Sequence, residues 1–76
     1  MKELIGFIAT SLVDQPDAVQ VTEVEQDEVV VVELKVAKDD LGKVIGKQGR
    51  TARAMRALLT AAAGRANKRA RLEIME

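Results

Sequence analysis

The sequence predicts an α+β domain in the order α-β-β-α-α-β, with a three-stranded sheet packed against three helices. Three patterns predict it: an amphipathic helical stretch at the start, a valine-rich run in the middle, and two helical stretches separated by a glycine-flanked tetrapeptide ahead of a final alternating segment. A chain of 76 residues has the length of one domain. Residues 1–76 are therefore expected to form a single unit.

The first element is an amphipathic helix from Met1 to Val13. Its apolar residues recur at the spacing of one helical face and are Met1, Leu4, Ile5, Ile8 and Leu12. Pro16 has no amide hydrogen and restrains the residue before it, so the helix should end by Asp14.

Two strands joined by a tight connection follow. Val19, Val21 and Val24 mark the first strand, and the break in alternation after Val21 predicts a bulge. Val29 to Ala37 contains four consecutive valines and then alternates, which is typical of a well-buried strand. The polar segment Gln26-Asp27-Glu28 between them predicts the turn of a hairpin.

A short helix is predicted next. Asp39 and Asp40 suit its first turn, where carboxylates meet the positive end of the helix dipole. Its buried side should consist of Leu41, Val44 and Ile45. The tetrapeptide Gly46-Lys47-Gln48-Gly49, called here the GKQG loop (residues 46–49), ends it.

The last two elements are a long helix from Arg50 and a final strand. The predicted core face of the helix comprises Thr51, Met55, Leu58, Leu59 and Ala62, with Arg50 and Arg53 lying elsewhere. Gly64 and Asn67 suit capping or turn positions. The alternating residues Ala70, Leu72 and Ile74 predict the strand.

Charge is segregated along a chain whose net charge is zero. Residues 1–40 hold ten acids and three bases, a balance of −7, whereas residues 41–76 hold two acids and nine bases, a balance of +7. This split predicts a polyanion-binding half, or two halves that neutralise each other across the fold.

The GKQG loop has the features of a phosphate clamp. Its two glycines can adopt positive φ and let backbone amides approach a bulky ligand. The following helix would add unpaired first-turn amides, at Gly49 and Arg50, and the positive end of its dipole. Four cations surround the same point, namely Lys43, Lys47, Arg50 and Arg53. We interpret the loop as a clamp for the backbone of a polyanion.

The segment Gly42-Lys43-Val44-Ile45-Gly46-Lys47-Gln48-Gly49-Arg50 resembles the KH signature, whose G-x-x-G loop clamps about four nucleotides. With a helix and a strand ahead of the core, the chain resembles the type II, prokaryotic KH arrangement over its whole length. It is similar to the small stand-alone bacterial KH proteins of the KhpA family.

The resemblance implies a bacterial, cytoplasmic RNA chaperone or post-transcriptional regulator, with a part in cell-shape regulation. It also implies a homodimer, or a heterodimer with a larger KH protein of the Jag type. The RNA-binding residues it implies are Lys43, Val44, Ile45, Gly46, Lys47, Gln48, Gly49, Arg50 and Arg53.

In the KH arrangement the bases lie in a groove beside the loop. Val44 and Ile45 fit either its apolar floor or plain core packing. Phe7 is the only aromatic residue, so bases cannot stack on aromatic platforms. We therefore expect weak, poorly sequence-selective binding of single-stranded RNA, with single-stranded DNA also open because the clamp grips phosphates.

Several other classes are excluded or disfavoured. The chain has no histidine or cysteine, so the usual zinc and transition-metal ligands and the commonest general base are missing, and we predict no enzyme, metal site or cofactor. The glycine spacing fits neither a Walker loop nor a dinucleotide fingerprint, and no small-molecule substrate is indicated. No run approaches the ~20 apolar residues of a membrane span.

Three further features leave alternatives open. The second basic stretch, formed by Arg65, Lys68, Arg69 and Arg71, is interpreted as surface charge paired with the acidic hairpin or as an additional RNA contact. The acidic cluster, formed by Glu23, Glu25, Asp27 and Glu28, lacks the spacing of a calcium loop and favours a solvated hairpin face. Phe7, off the apolar face of the first helix, with Val29 and Val31, also allows an interaction subunit in which RNA contact is secondary.

Overall fold

The computed structural model describes residues 1–76 and confirms the predicted element order. The helices are α1 (Lys2–Leu12), α2 (Leu41–Ile45) and α3 (Arg50–Arg65), and the strands are β1 (Gln20–Gln26), β2 (Val29–Lys35) and β3 (Arg69–Met75). Three short 3-10 turns, Pro16–Ala18, Lys38–Asp40 and Lys47–Gly49, lie between them.

The three strands form one mixed sheet in the order β1-β2-β3. β1 pairs with β2 antiparallel, and β2 pairs with β3 parallel. The β1–β2 register runs without interruption from Gln20 opposite Lys35 to Gln26 opposite Val29, so the predicted bulge is wrong. The hairpin turns at Asp27, whose φ of 53° is one that aspartate tolerates.

The core lies between one face of the sheet and the helices. Alternate residues of β2 point inward, because successive side chains of a strand face opposite sides. The buried apolar residues that meet here are Ile5, Ala9, Val30, Val32, Leu34, Val36, Val44, Met55, Leu59 and Leu72. α1 packs mainly on β1 and α3 on β3, with α2 against α3.

The buried faces of both long helices differ from the predicted ones. α1 buries Ile5 and Ala9, one turn apart, and leaves Leu4 and Leu12 exposed on its flanks. α3 buries a stripe comprising Ala52, Met55, Leu59 and Ala63. Leu58, predicted to be core, is 46% exposed. Alanine allows a helix to approach the sheet closely, whereas hydrophobicity alone favours the larger leucines.

Asp40 has a different role from the predicted one at a helix dipole. It is buried, with 1% exposure, and its carboxylate accepts hydrogen bonds from the backbone N–H groups of Asp14, at 3.1 Å, and Gln15, at 3.0 Å. Two main-chain donors satisfy a buried carboxylate. Asp40 thereby ties the α1–β1 connection (residues 13–19) to the start of α2.

The end of α3 is capped through Asn67, as predicted. Asn67 has a φ of 58°, its N–H donates to the carbonyl of Gly64 at 3.1 Å, and the N–H of Lys68 donates to the carbonyl of Ala63 at 2.9 Å. This is a Schellman cap, in which a residue in the left-handed region ends the helix. It directs the chain into β3.

Candidate nucleic-acid interface

The GKQG loop joins α2 to α3 through three residues with positive φ. Gly46 has φ 78°, Gln48 φ 57° and Gly49 φ 73°. Both glycines adopt the positive φ that glycine permits, but only Gly49, with a ψ of 14°, lies in the left-handed helical region, whereas Gly46 has a ψ of 169°. Both glycines are half-buried, while Lys47 and Gln48 are exposed, so the loop is reachable from solvent.

The two glycines are required for different reasons. A Cβ atom at Gly46 would lie 2.3 Å from Oγ1 of Thr51, and 2.9 Å from its backbone nitrogen. A Cβ atom at Gly49 would meet no atom within 4 Å, so only its positive φ favours glycine there. Thr51, which the sequence interpretation placed only in the core, packs under the loop and helps to set its shape.

The backbone amides of the loop correct one expectation. The N–H of Gly46 donates to the carbonyl of Gly42 at 2.8 Å, and the N–H of Gly49 donates to the carbonyl of Gly46 at 3.0 Å. The N–H of Arg50 donates to the carbonyl of Lys47. These three amides are therefore used in the tight turn and are not free donors for a ligand, so the glycines shape the loop instead.

Two arginines of α3 contact Gln48. Nη2 of Arg53 donates to the main-chain oxygen of Gln48 at 2.7 Å, and Nη2 of Arg50 lies 3.5 Å from Oε1 of the same residue. A guanidinium has five N–H donors, so both arginines keep donors for a second acceptor. Lys47 makes no hydrogen bond or ion pair through its side chain and stands free beside them.

Lys43 differs from the other three cations because it is already paired. Its Nζ lies 2.9 Å from Oδ2 of Asp14 and 3.7 Å from Oδ1 of Asp40. The hydrogen bond and the charge of Asp14 raise the pKa of Lys43 above its ordinary value. The structure therefore brings all four predicted cations to the loop region but leaves only three without an acid partner.

Asp14 and Asp40 were not singled out as neighbours of the site. They contact Lys43 across separations of 29 and 3 residues, respectively. The shorter separation fits the helical spacing, whereas nothing in the local sequence pattern indicates the longer contact. Tertiary packing alone brings Asp14 to the loop.

The two apolar residues before the loop, Val44 and Ile45, differ in burial, so one fits core packing and the other the floor of a groove. Val44 is fully buried, with 0% exposure, and packs in the core, so it cannot touch a ligand in this conformation. Ile45 is 38% exposed and offers apolar surface directly before the loop. The groove-floor interpretation therefore fits Ile45, and the core interpretation fits Val44.

The second basic stretch is partly paired. Nζ of Lys68 forms an ion pair with Glu25 of the hairpin, which confirms the predicted pairing for this lysine. Arg65, Arg69 and Arg71 make no ion pair. Lys68 and Glu25 thus join the end of α3 to the hairpin.

The remaining surface is simple. No group of three or more acidic residues is placed to hold a metal ion, and no enclosed pocket is present. None of the helices has the length and apolar character needed to cross a bilayer. A ligand at the loop would therefore bind on an open face.

Comparison with known proteins places this geometry in a family. Residues 2–74 match the family described as "KhpA/KhpB, KH domain". The relatives include "RNA-binding protein KhpA" of Clostridium acetobutylicum, 56% identical over 75 residues covering 99% of this chain and 100% of that protein.

Two further bacterial relatives carry the same name. The one from Chlamydia pneumoniae is 50% identical over 76 residues, covering 100% of this chain and 97% of the relative. The one from Aquifex aeolicus is 51% identical over 76 residues, covering 100% and 96%. No solved structure gives a significant match. With a family match over nearly its whole length and a type II arrangement of helices and strands, the chain belongs to the KhpA/KhpB KH-domain family.

Proposed function

We propose that this chain binds single-stranded RNA through the GKQG loop. The observation that carries the proposal is an exposed loop of positive φ, opening a 16-residue helix and bordered by three cations without acid partners, Lys47, Arg50 and Arg53. The name "RNA-binding protein KhpA", carried by relatives that match the whole chain, supports RNA as the ligand.

The clamp would act mainly through charge. The positive end of the α3 dipole and the side chains of Lys47 and Arg50 attract a phosphate, and the missing side chain at Gly49 lets the backbone of the ligand come close. Arg53 would hold Gln48 and add a third cation, while Ile45 supports a base from the side. Because these contacts grip phosphates, single-stranded DNA is expected to bind as well.

The test is a double substitution in the loop, Lys47→Asp with Gln48→Asp. Both side chains are exposed, and aspartate tolerates the positive φ at position 48, so the fold should persist. Two carboxylates would face the phosphate, and binding of a fluorescent oligoribonucleotide should fall below detection at low salt. Unchanged binding by a folded double variant would remove the loop as the site.

A matched control exists at the other end of α3. Arg65→Asp with Asn67→Asp makes the same change in charge and also places aspartate at a position with positive φ. Residue 65 lies about 22 Å along the helix from residue 50, beyond the screening length at physiological salt. The control variant should bind RNA like the wild type.

We also propose a wider role as a cytoplasmic RNA chaperone or post-transcriptional regulator that acts in cell-shape control, as a homodimer or as a heterodimer with a larger Jag-type KH protein. The family membership supports this role. The proposal assigns the chain no catalytic activity, metal, cofactor, small-molecule substrate or membrane partner. Crosslinking and sequencing the RNA bound in cells, with the loop variant as the comparison, would test it.

A second candidate function is that of an interaction subunit in which RNA contact is secondary. The observation that favours it is the exposed apolar surface at Phe7, which is 73% exposed on α1, and at Leu58 on α3. Exposed apolar side chains mark protein contacts where they form a contiguous patch. Sedimentation with and without RNA separates the functions: a tight dimer that RNA leaves unchanged would favour the subunit.

A further inference from the structure

Asp14, in the α1–β1 connection, forms an ion pair with Lys43, one of the cations beside the GKQG loop. Oδ2 of Asp14 accepts a hydrogen bond from Nζ of Lys43 at 2.9 Å, although the two residues are 29 positions apart. Lys43 lies in the last turn of α2, directly before the loop. The ion pair therefore lies at the border of the proposed RNA site.

The position of Asp14 is fixed from both sides. Its own backbone N–H and that of Gln15 donate to the buried carboxylate of Asp40, which holds this part of the connection against α2. Pro16 begins a 3-10 turn directly afterwards. Because the main chain is anchored at this point, the carboxylate stays within reach of Lys43.

The two acids that touch Lys43 differ in what they present to a ligand. The Asp40 side chain is 1% exposed, so its carboxylate is not reachable from the surface. The Asp14 side chain is 77% exposed and lies beside Lys43, which is 44% exposed. A phosphate that approaches Lys43 therefore meets the negative charge of Asp14 in the same solvent. It must displace that carboxylate or lie beside it.

We propose that Asp14 sets the RNA affinity of the GKQG loop by competing with the phosphate backbone for Lys43. The inference rests on the proposed function, because it assumes that the loop binds RNA. It assigns Asp14 the part of a built-in competitor that keeps binding weak and readily reversible. Lys43 then contributes fully only when a phosphate takes the place of the carboxylate.

The test is Asp14→Asn, which keeps the backbone N–H that Asp40 accepts and nearly the same shape. Removing the acid frees the charge of Lys43 to attract a phosphate about 5 Å away in water, which should tighten RNA binding about fourfold at low salt. It should also steepen the salt dependence by about 0.7 in the log-log slope, because one more phosphate is neutralised. Asp14→Ser, which also removes the charge, should act in the same direction.

The matched control is Asp17→Asn. Asp17 lies in the same connection and is exposed, and the substitution makes the same change in charge, but Asp17 pairs with no cation. Its removal should change RNA affinity less than twofold. An equal gain from both substitutions would show a general charge effect and would overturn the proposal.

A double-mutant cycle tests whether Asp14 acts through Lys43. Lys43→Gln alone should weaken binding, and adding Asp14→Asn to it should give a clearly smaller gain than in the wild type. In the RNA-free protein, NMR titration of the Lys43 side chain should show that Asp14→Asn lowers its pKa toward the ordinary value. An unchanged pKa would mean that the ion pair does not exist in solution and would overturn the proposal.

The loop variant separates failure of this inference from failure of the proposed function. If Lys47→Asp with Gln48→Asp abolishes binding while Asp14→Asn leaves it unchanged, the competitor role is wrong and the RNA site stands. If the wild type and Asp14→Asn both fail to bind RNA at low salt, the proposed function is wrong and the competitor role falls with it.

Discussion

The guanidinium of Arg53 donates a 2.7 Å hydrogen bond to the main-chain carbonyl oxygen of Gln48. Gln48 has a φ of 57°, a conformation that a residue with a side chain adopts only at some cost. A charge-assisted bond at this point offsets that cost and ties the loop to the first turns of α3. The same side chain therefore shapes the loop and adds charge to it.

Arg53→Ala is expected to weaken RNA binding about tenfold, since hydrogen bonds to charged groups contribute about 1.5 kcal/mol or more. Arg53→Lys keeps the charge and loses the planar donor set, so it should restore only part of the affinity. Backbone NMR of Gln48 should show a more mobile loop in both variants. A loop that stays ordered in Arg53→Ala would contradict the positioning role.

Arg65→Ala is the control for this pair. Arg65 is an exposed arginine in the last turn of the same helix, makes no ion pair and lies far from the loop. The Arg65→Ala variant should bind RNA with the affinity of the wild type, and its loop should be as well ordered.

Gly46→Ala should cost far more stability than Gly49→Ala. At position 46 the new Cβ atom would lie 2.3 Å from Oγ1 of Thr51 in addition to the strained backbone, so we expect a loss of about 3 kcal/mol. At position 49 there is open space, and only the left-handed φ is penalised, by about 1 kcal/mol. Urea unfolding of both variants measures the difference, and equal losses would contradict the geometry.

Several atoms of Thr51, and not only its hydroxyl, lie close to the Cβ position of Gly46. Thr51→Ala removes the hydroxyl but leaves a Cβ atom 2.8 Å and a backbone nitrogen 2.9 Å from the new group, so it should not rescue Gly46→Ala. Gly64→Ala is the control. Gly64 lies inside α3, and a Cβ atom there would meet no atom within 4 Å. This substitution should leave the free energy of unfolding unchanged or raise it by up to about 1 kcal/mol.

The sequence predicted most completely those features that are local. Helix and strand periodicity, Pro16 and the two glycines act over a few residues, and they gave the element order and the position of the loop. The predicted core faces were less accurate, because α3 is rotated about its axis so that Ala63 is buried and Leu58 exposed, and packing against the sheet decides that rotation. Local pattern carries no such information.

The sequence predicted the position of the loop residues better than their contacts. The cations and glycines lie where the loop pattern places them, but the amides of Gly46 and Gly49 are used inside the turn. The pairing of Lys43 with Asp14 depends on how α1 packs against α2, a contact between distant segments. Residue spacing alone does not show which cations are free.

Asp40→Asn should destabilise the fold by about 2 kcal/mol, because the amide group offers one oxygen where the carboxylate offers two to the N–H groups of Asp14 and Gln15. One of these two partly buried N–H groups would lose its partner. Asp39→Asn, at the exposed neighbouring position, should change the free energy of unfolding by less than about 0.5 kcal/mol. Equal stability of the two variants in urea would show that the bonds to Asp40 contribute little.

The salt dependence of RNA binding should report the number of cations that lack an acid partner. Three cations at the loop are free and Lys43 is paired, so the log-log slope of affinity against salt should be near −2, from about 0.7 for each of three phosphates. Asp14→Asn should bring it near −2.8, and Lys43→Gln should leave it near −2. Titrations of one oligoribonucleotide between low and physiological salt would measure all three slopes. A slope near zero in the wild type would mean that apolar contacts with the bases, and not phosphate binding, provide the affinity. The loop does not favour that outcome, because its own side chains are polar and Ile45, directly before it, is only 38% exposed.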